Sequence, residues 1–158
     1  MSFEAAYAHL KNCGLADAVR QFTVSSATVE LAAQALGCEP ARIAKTLAFL
    51  RGDGCVLVVA AGDARIDNAK FKAFFGCKAS MLSPDRVLAE TGHAVGGVCP
   101  FGIPAHIPVY LDASLKRFET VYPACGSGDS AVALSIPQLE QAAGTRQWID
   151  VCKGWQTE

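Results

Sequence analysis

The chain has 158 residues, 51% of them hydrophobic and 18% charged, with a formal net charge of −1. That length and apolar share suit one compact domain around a single core. The near-cancellation of charge excludes a protein that holds nucleic acid by bulk positive potential, so any such contact must be local.

Phe3, Ala6, Tyr7 and Leu10 recur at helical spacing, and Gly14 is placed to end that helix. A second helix is predicted over Thr28 to Leu36, with Ser26 as its cap and Gly37 as its stop. Pro40, Ile43, Leu47 and Leu50 mark a short helix passing into a strand, with the boundary near Lys45. From TLAFL through RGDG to CVLVVAA the pattern is a β-hairpin, with Asp53-Gly54 as its tight turn. The second run is apolar throughout, which predicts a central strand.

Asp67 is placed to cap the helix NAKFKAFF, closed by Gly76, and Ser83-Pro84 opens another helix, closed by Gly92. Strands follow at IPVYL, ETVYP and AVALS, with a short turn around Asp112 to Ser114. Ser135 and Pro137 start a last helix that stops at Gly144, and Trp148 to Val151 forms the final strand. There is no regular βαβ alternation, no repeat and no linker. The expected fold is α+β, a single domain over residues 1–158 with one mixed sheet and helices packed around it.

The seven cysteines lie far apart, none closer than Cys38 to Cys55, so no CxxC pair suggests zinc or a redox dithiol. Their odd, scattered number suits a reducing cytosol. The start MSFEAAYAHLKNCG lacks the basic and then continuously apolar pattern of a signal peptide, and no run approaches the roughly 20 apolar residues that span a bilayer. The expectation is a cytoplasmic protein with no membrane contact, no metal and no cofactor.

Residues 92–102, GHAVGGVCPFG, are bare enough to contact a ligand through the backbone. Gly92-xxxx-Gly97 has the glycine spacing that opens a P-loop, but Val98 and Cys99 stand where the lysine and hydroxyl are required. No GxGxxG spacing occurs either. Cys99 as a nucleophile would need a histidine in reach, and His93 and His106 are near in sequence; a free cysteine is more often a small core residue. In the third reading Gly96 and Gly97 adopt positive φ and Pro100 removes a competing donor, so that the loop's amides face a ligand. A plain turn between helix and strand has the same composition.

Three stretches together make the chain similar to the YbaK/EbsC family, which includes the editing domain associated with bacterial prolyl-tRNA synthetase. They are IAKTLAF with Lys45, GGVCPFG with G-x-x-x-P at Gly96 to Pro100, and CGSGDSAVALS. With the intervening VLVVAAGDARIDNAKF the resemblance covers nearly the whole chain. It implies a barrel-like mixed sheet flanked by helices and a free-standing deacylase, without metal, that hydrolyses the ester of a small non-cognate amino acid on a tRNA. Mischarged tRNA for proline, carrying cysteine, alanine or 2-aminobutyrate, is the implied substrate, and a synthetase is a possible partner.

By the same resemblance the catalytic positions are Lys45, Gly96, Gly97 and Pro100. Val98, Cys99, Phe101, Gly102, Gly126, Ser127 and Asp129 surround the substrate. In related enzymes the terminal hydroxyl of the tRNA is thought to assist the attack. Lys45 would meet the terminal phosphate or hydroxyl as a point charge, and loop amides would polarise the ester carbonyl. Arg65, Lys70, Lys72 and Lys78 form a local basic group that could steer an acceptor end. The alternative is a non-catalytic module of the same fold that binds an aminoacyl-tRNA or a synthetase.

Overall fold

A computed structural model describes residues 2–156. Helix α1 (Ser2–Asn12) buries Ala6 and Leu10 and is followed by a short strand β1 (Val19–Gln21). Helix α2 (Val29–Leu36) is capped by the Thr28 side chain, which accepts from the Leu31 amide, and Gly37 closes it in the left-handed region. The cap is therefore Thr28 and not Ser26, whose side chain is buried.

A 3-10 turn at Pro40–Arg42 leads into strand β2 (Ile43–Arg51). No helix reaches Lys45: it is the third residue of the strand, because residues 44–51 pair without a break along residues 54–61. Strand β3 (Gly54–Ala61) pairs antiparallel with β2, ending at Arg51 opposite Gly54. The tight turn is thus Gly52-Asp53, one residue earlier than expected. Gly52, with φ 61°, supplies the positive φ that such a connection needs at its first position.

The remaining elements are β4 (Arg65–Ile66), α3 (Asn68–Phe75), α4 (Pro84–Thr91), β5 (Val109–Asp112), β6 (Thr120–Pro123), β7 (Ser130–Val132), β8 (Leu134–Ser135), α5 (Ile136–Ala143), β9 (Trp148–Ile149) and β10 (Cys152–Lys153). Asp67, Ser83 and Ser135 cap the three helices as their positions suggested, and Ser135 forms a capping box with Gln138. The AVALS run is divided between two strands because Ala133 leaves the ladder: β7 pairs with β1, whereas β8 pairs with β6.

The main sheet runs β8-β6-β2-β3-β5-β9 and mixes parallel with antiparallel neighbours. Strand β3 is buried from Cys55 to Ala61, as a central strand with covered faces should be. The architecture is mixed α+β, a curled half-barrel sheet with helices around it, and it matches the expected fold class. Among the described residues, no helix is long and apolar enough to cross a membrane.

Candidate functional site

The start of β2, the α2 entry, the glycine loop and the end of β6 converge on one pocket of about 120 Å³. Lys45, Gly96 and Val98 line it, so the first and second sequence signals meet in space. The rest of the wall combines five alanines, Ala27, Ala32, Ala44, Ala124 and Ala131, with the larger Val29, Ile43 and Tyr122 and the hydroxyl-bearing Ser26, Thr28, Thr46 and Ser130. With Ser130 and Ala131 at the start of β7, five chain segments build it.

Lys45 is half-buried. Its ammonium donates to the carbonyl of Gly62 at 3.4 Å and to that of Ala64, both in the turn after β3. Burial is the largest influence on it and pushes its pKa below the usual lysine value, while Cys152, Asp63 and Glu30 act in the opposite sense. Gly62 is fixed by packing, since a Cβ there would overlap the Pro40 carbonyl and sit 2.8 Å from Val29 Cγ1.

The two central glycines have different reasons to be glycine. Gly96 has φ 98° and faces Ala27 across the pocket mouth, where an added Cβ would lie 3.0 Å from the Ala27 methyl. Gly97 does not have positive φ, contrary to the expectation. A Cβ there would lie 2.5 Å from the Ser127 nitrogen and 2.7 Å from the Gly126 carbonyl carbon, so the position is set by close backbone approach. Its amide donates to Ala94 and its carbonyl accepts from Gly126 at 3.0 Å. Gly97 therefore joins the two loops and its N–H is already spent.

Behind the loop, Cys99, Pro100 and Phe101 are buried. Gly102, with φ 67°, packs against the backbone of Ala5, from which an added Cβ would lie only 2.6 Å, so this end packs on α1 away from the pocket. Gly126 likewise sits against Ser2. Ser127 donates to the Asp129 carboxylate at 2.8 Å and its hydroxyl lies 2.6 Å from that of Ser130. The Asp129 and Gly128 carbonyls accept from Phe22 and Ser26, which ties this turn to the chain around β1. Of the third signal, Ser130 and Ala131 reach the pocket wall, whereas Gly126, Ser127 and Asp129 do not line it. The basic group is partly spent: Lys70 pairs with Asp150 at 3.1 Å.

Cys99 is poorly placed as a nucleophile. His93 Nε2 lies 2.7 Å from the Phe101 carbonyl, which can only accept, so that nitrogen carries the proton and cannot serve as a base for the thiol 3.6 Å away. Burial pushes the Cys99 thiol well above its usual range and lowers His93. Cys99→Ser is expected to retain most catalytic rate, and iodoacetamide should leave native Cys99 unmodified. Rate loss of a thousandfold, or substrate-protected alkylation at Cys99, would reverse this assignment.

The sequence assigned Ser26 only a capping place and Thr46, inside IAKTLAF, no role in a site. Both are buried in the pocket wall, and their hydroxyls have no hydrogen-bond partner among the described residues. Buried hydroxyls are ordinarily satisfied, so a pocket bearing two free ones is suited to a ligand with polar atoms. Thr46 follows Lys45 directly, which was the available clue.

A family model described as an aminoacyl-tRNA editing domain matches residues 23–142. The uncharacterised protein YwhH of Bacillus subtilis (strain 168) is 52% identical over 158 residues, covering 99% of this chain and 100% of its own. Proline--tRNA ligase of Thermosipho melanesiensis is 35% identical over 125 residues; the match takes in 78% of this chain and 22% of that enzyme. Among solved structures, a candidate trans-editing enzyme for prolyl tRNA synthetase superposes with a TM-score of 0.86 at 30% identity, covering 97% of this chain and 98% of the other. The hypothetical protein APE2540 superposes with a TM-score of 0.84 at 29% identity, covering 94% and 99%.

Proposed function

This chain belongs to the aminoacyl-tRNA editing domain family, and on that premise we propose that it is a free-standing cytoplasmic deacylase that removes a small non-cognate amino acid from a tRNA, with tRNA for proline the first carrier to test. The observation that carries the reading is the meeting of Lys45 and Gly96 at one small pocket of about 120 Å³ whose wall includes five alanines. A wall of that kind favours a short side chain. Relatives matched almost end to end support action in trans.

In this reading the aminoacyl group enters the pocket and the ribose–phosphate end lies at its mouth. Lys45 leaves the carbonyls of Gly62 and Ala64 to meet the terminal phosphate or hydroxyl. Water adds to the ester carbonyl, the bond to the ribose oxygen breaks, and that oxygen takes up a proton, giving free amino acid and uncharged tRNA. Amides of the glycine loop other than that of Gly97 stabilise the oxyanion; one well-aimed donor is worth about 3 kcal/mol.

Single-turnover hydrolysis of tRNAs mischarged with cysteine, alanine and 2-aminobutyrate tests the proposal. Tight binding with no hydrolysis of any of them would favour a non-catalytic binding module instead. Thr46→Val removes a hydroxyl at nearly constant shape, so a substrate that gives the hydroxyl a partner should lose about 1 kcal/mol, roughly fivefold in rate. Cysteinyl-tRNA should therefore fall relative to alanyl-tRNA. Equal changes for both would place Thr46 outside side-chain recognition.

A further inference from the structure

Lys45 rests on the carbonyls of Gly62 and Ala64, and the residue between those two acceptors is Asp63. The Asp63 carboxylate is engaged elsewhere. Arg117, in the 3-10 turn after β5, holds it in a fork: Nη1 donates to Oδ2 at 2.9 Å and Nη2 to Oδ1 at 2.6 Å. The guanidinium is itself fixed. Its Nε donates to the Ser114 carbonyl at 2.9 Å and Nη1 also donates to the Trp155 carbonyl at 3.2 Å, while Phe118 and Trp155 present their rings 4.8 and 5.1 Å away.

Such a fork fixes direction as well as distance, which a point charge does not. The charged or titratable groups that face Lys45 are Cys152 from β10, Asp63 from the turn, Glu30 from α2 and Arg65 from β4. Asp63 is the group that lies between the carbonyls on which the ammonium sits. Neutral carbonyls release an ammonium more readily than a carboxylate does, because a carboxylate adds the attraction of a full opposite charge to the hydrogen bond.

We propose that Arg117 is a positioning residue for Lys45: by clamping Asp63 it keeps that carboxylate from capturing the ammonium, and leaves Lys45 free to move from neutral carbonyls to its substrate. The catalytic part of this rests on the deacylase reading, whereas the electrostatic part does not. The device is a guard on the lysine, and removing the guard matters only while Asp63 keeps its charge.

The full chain carrying Arg117→Met, Asp63→Asn or both tests it, with circular dichroism to verify folding. Arg117→Met should lower single-turnover deacylation about tenfold, Asp63→Asn should leave it within about threefold, and the double variant should regain most of the loss. The pKa of Lys45, followed by NMR of its side chain, should rise by about one pH unit in Arg117→Met and return in the double variant. Should Arg117→Met fail to fold, Arg117→Lys makes the same comparison, since it keeps a charge without the fork. A double variant no faster than the single one, or a Lys45 pKa that does not rise, overturns the proposal. If wild type hydrolyses none of the mischarged tRNAs, the deacylase reading fails, and the NMR comparison still decides whether Arg117 guards Lys45.

Discussion

Lys45→Ala is expected to remove nearly all deacylation, a loss of a hundredfold or more, while the protein stays folded. The ammonium is half-buried at the pocket edge, and its two partners are backbone carbonyls in a turn that is independently held by Arg117 and Asp63. Truncation leaves the carbonyls of half-buried Gly62 and buried Ala64 without this donor, so the stability cost should be about 1–3 kcal/mol. In the proposed mechanism the same change would leave the terminal phosphate or hydroxyl without its cation. A guanidinium in its place is planar and wider, so Lys45→Arg should recover little.

The acid–base behaviour of this lysine adds a second readout. Burial lowers its pKa, so the charged form is lost earlier on the alkaline side than for a surface lysine. If the ammonium is the working form, the catalysed rate should fall as pH rises through that lowered pKa, while uncatalysed ester hydrolysis increases. Single-turnover rates, corrected for the uncatalysed reaction at each pH, separate the two trends. Lys45→Ala retaining more than a tenth of the wild-type rate, with the ester stable in the blank, would remove the lysine from the centre of the site.

Much of this arrangement was legible where chemistry is local. Asp67, Ser83 and Ser135 announced helix starts, and the unbroken apolar run from Cys55 announced a central strand. What escaped was non-local. Strand β1 has three residues, two of them polar, and exists because Val19 to Gln21 pair with Ser130 to Val132 on the far side of the sequence. Strands β4 and β10 are two residues each and define one another. The pocket wall draws on the same distant pairings, which is why the sequence did not show Ser26 and Thr46 as wall residues. Gly97 was recognised as a glycine that mattered, but its reason, the neighbouring backbone at Gly126 and Ser127, depends on a contact that periodicity does not encode.

That reason changes what Gly97→Val should do. A requirement for positive φ would predict strain confined to the loop, and so a loss of turnover out of proportion to any loss of stability. The contact predicts more. A Cβ would already lie 2.5 Å from the Ser127 nitrogen and 2.7 Å from the Gly126 carbonyl carbon, and two further methyls have no space between the chains. Backbone on both sides cannot rotate away as a side chain would, and the Gly126 to Gly97 hydrogen bond at 3.0 Å lies in the same gap. Overpacking of this kind costs about 3 kcal/mol, and parting the loops also displaces Gly96 and Ser130 from the pocket. Gly97→Val should therefore lower the melting temperature and abolish deacylation together, even when assayed at a temperature where the variant is folded. Gly96→Ala makes the contrast: its methyl first meets the side chain of Ala27, at 3.0 Å, and the positive φ costs about 1 kcal/mol, so activity should fall further than stability. A Gly97→Val protein that melts with wild type would show that the loops do not depend on this contact, and the role assigned to Gly97 would then have to be given up.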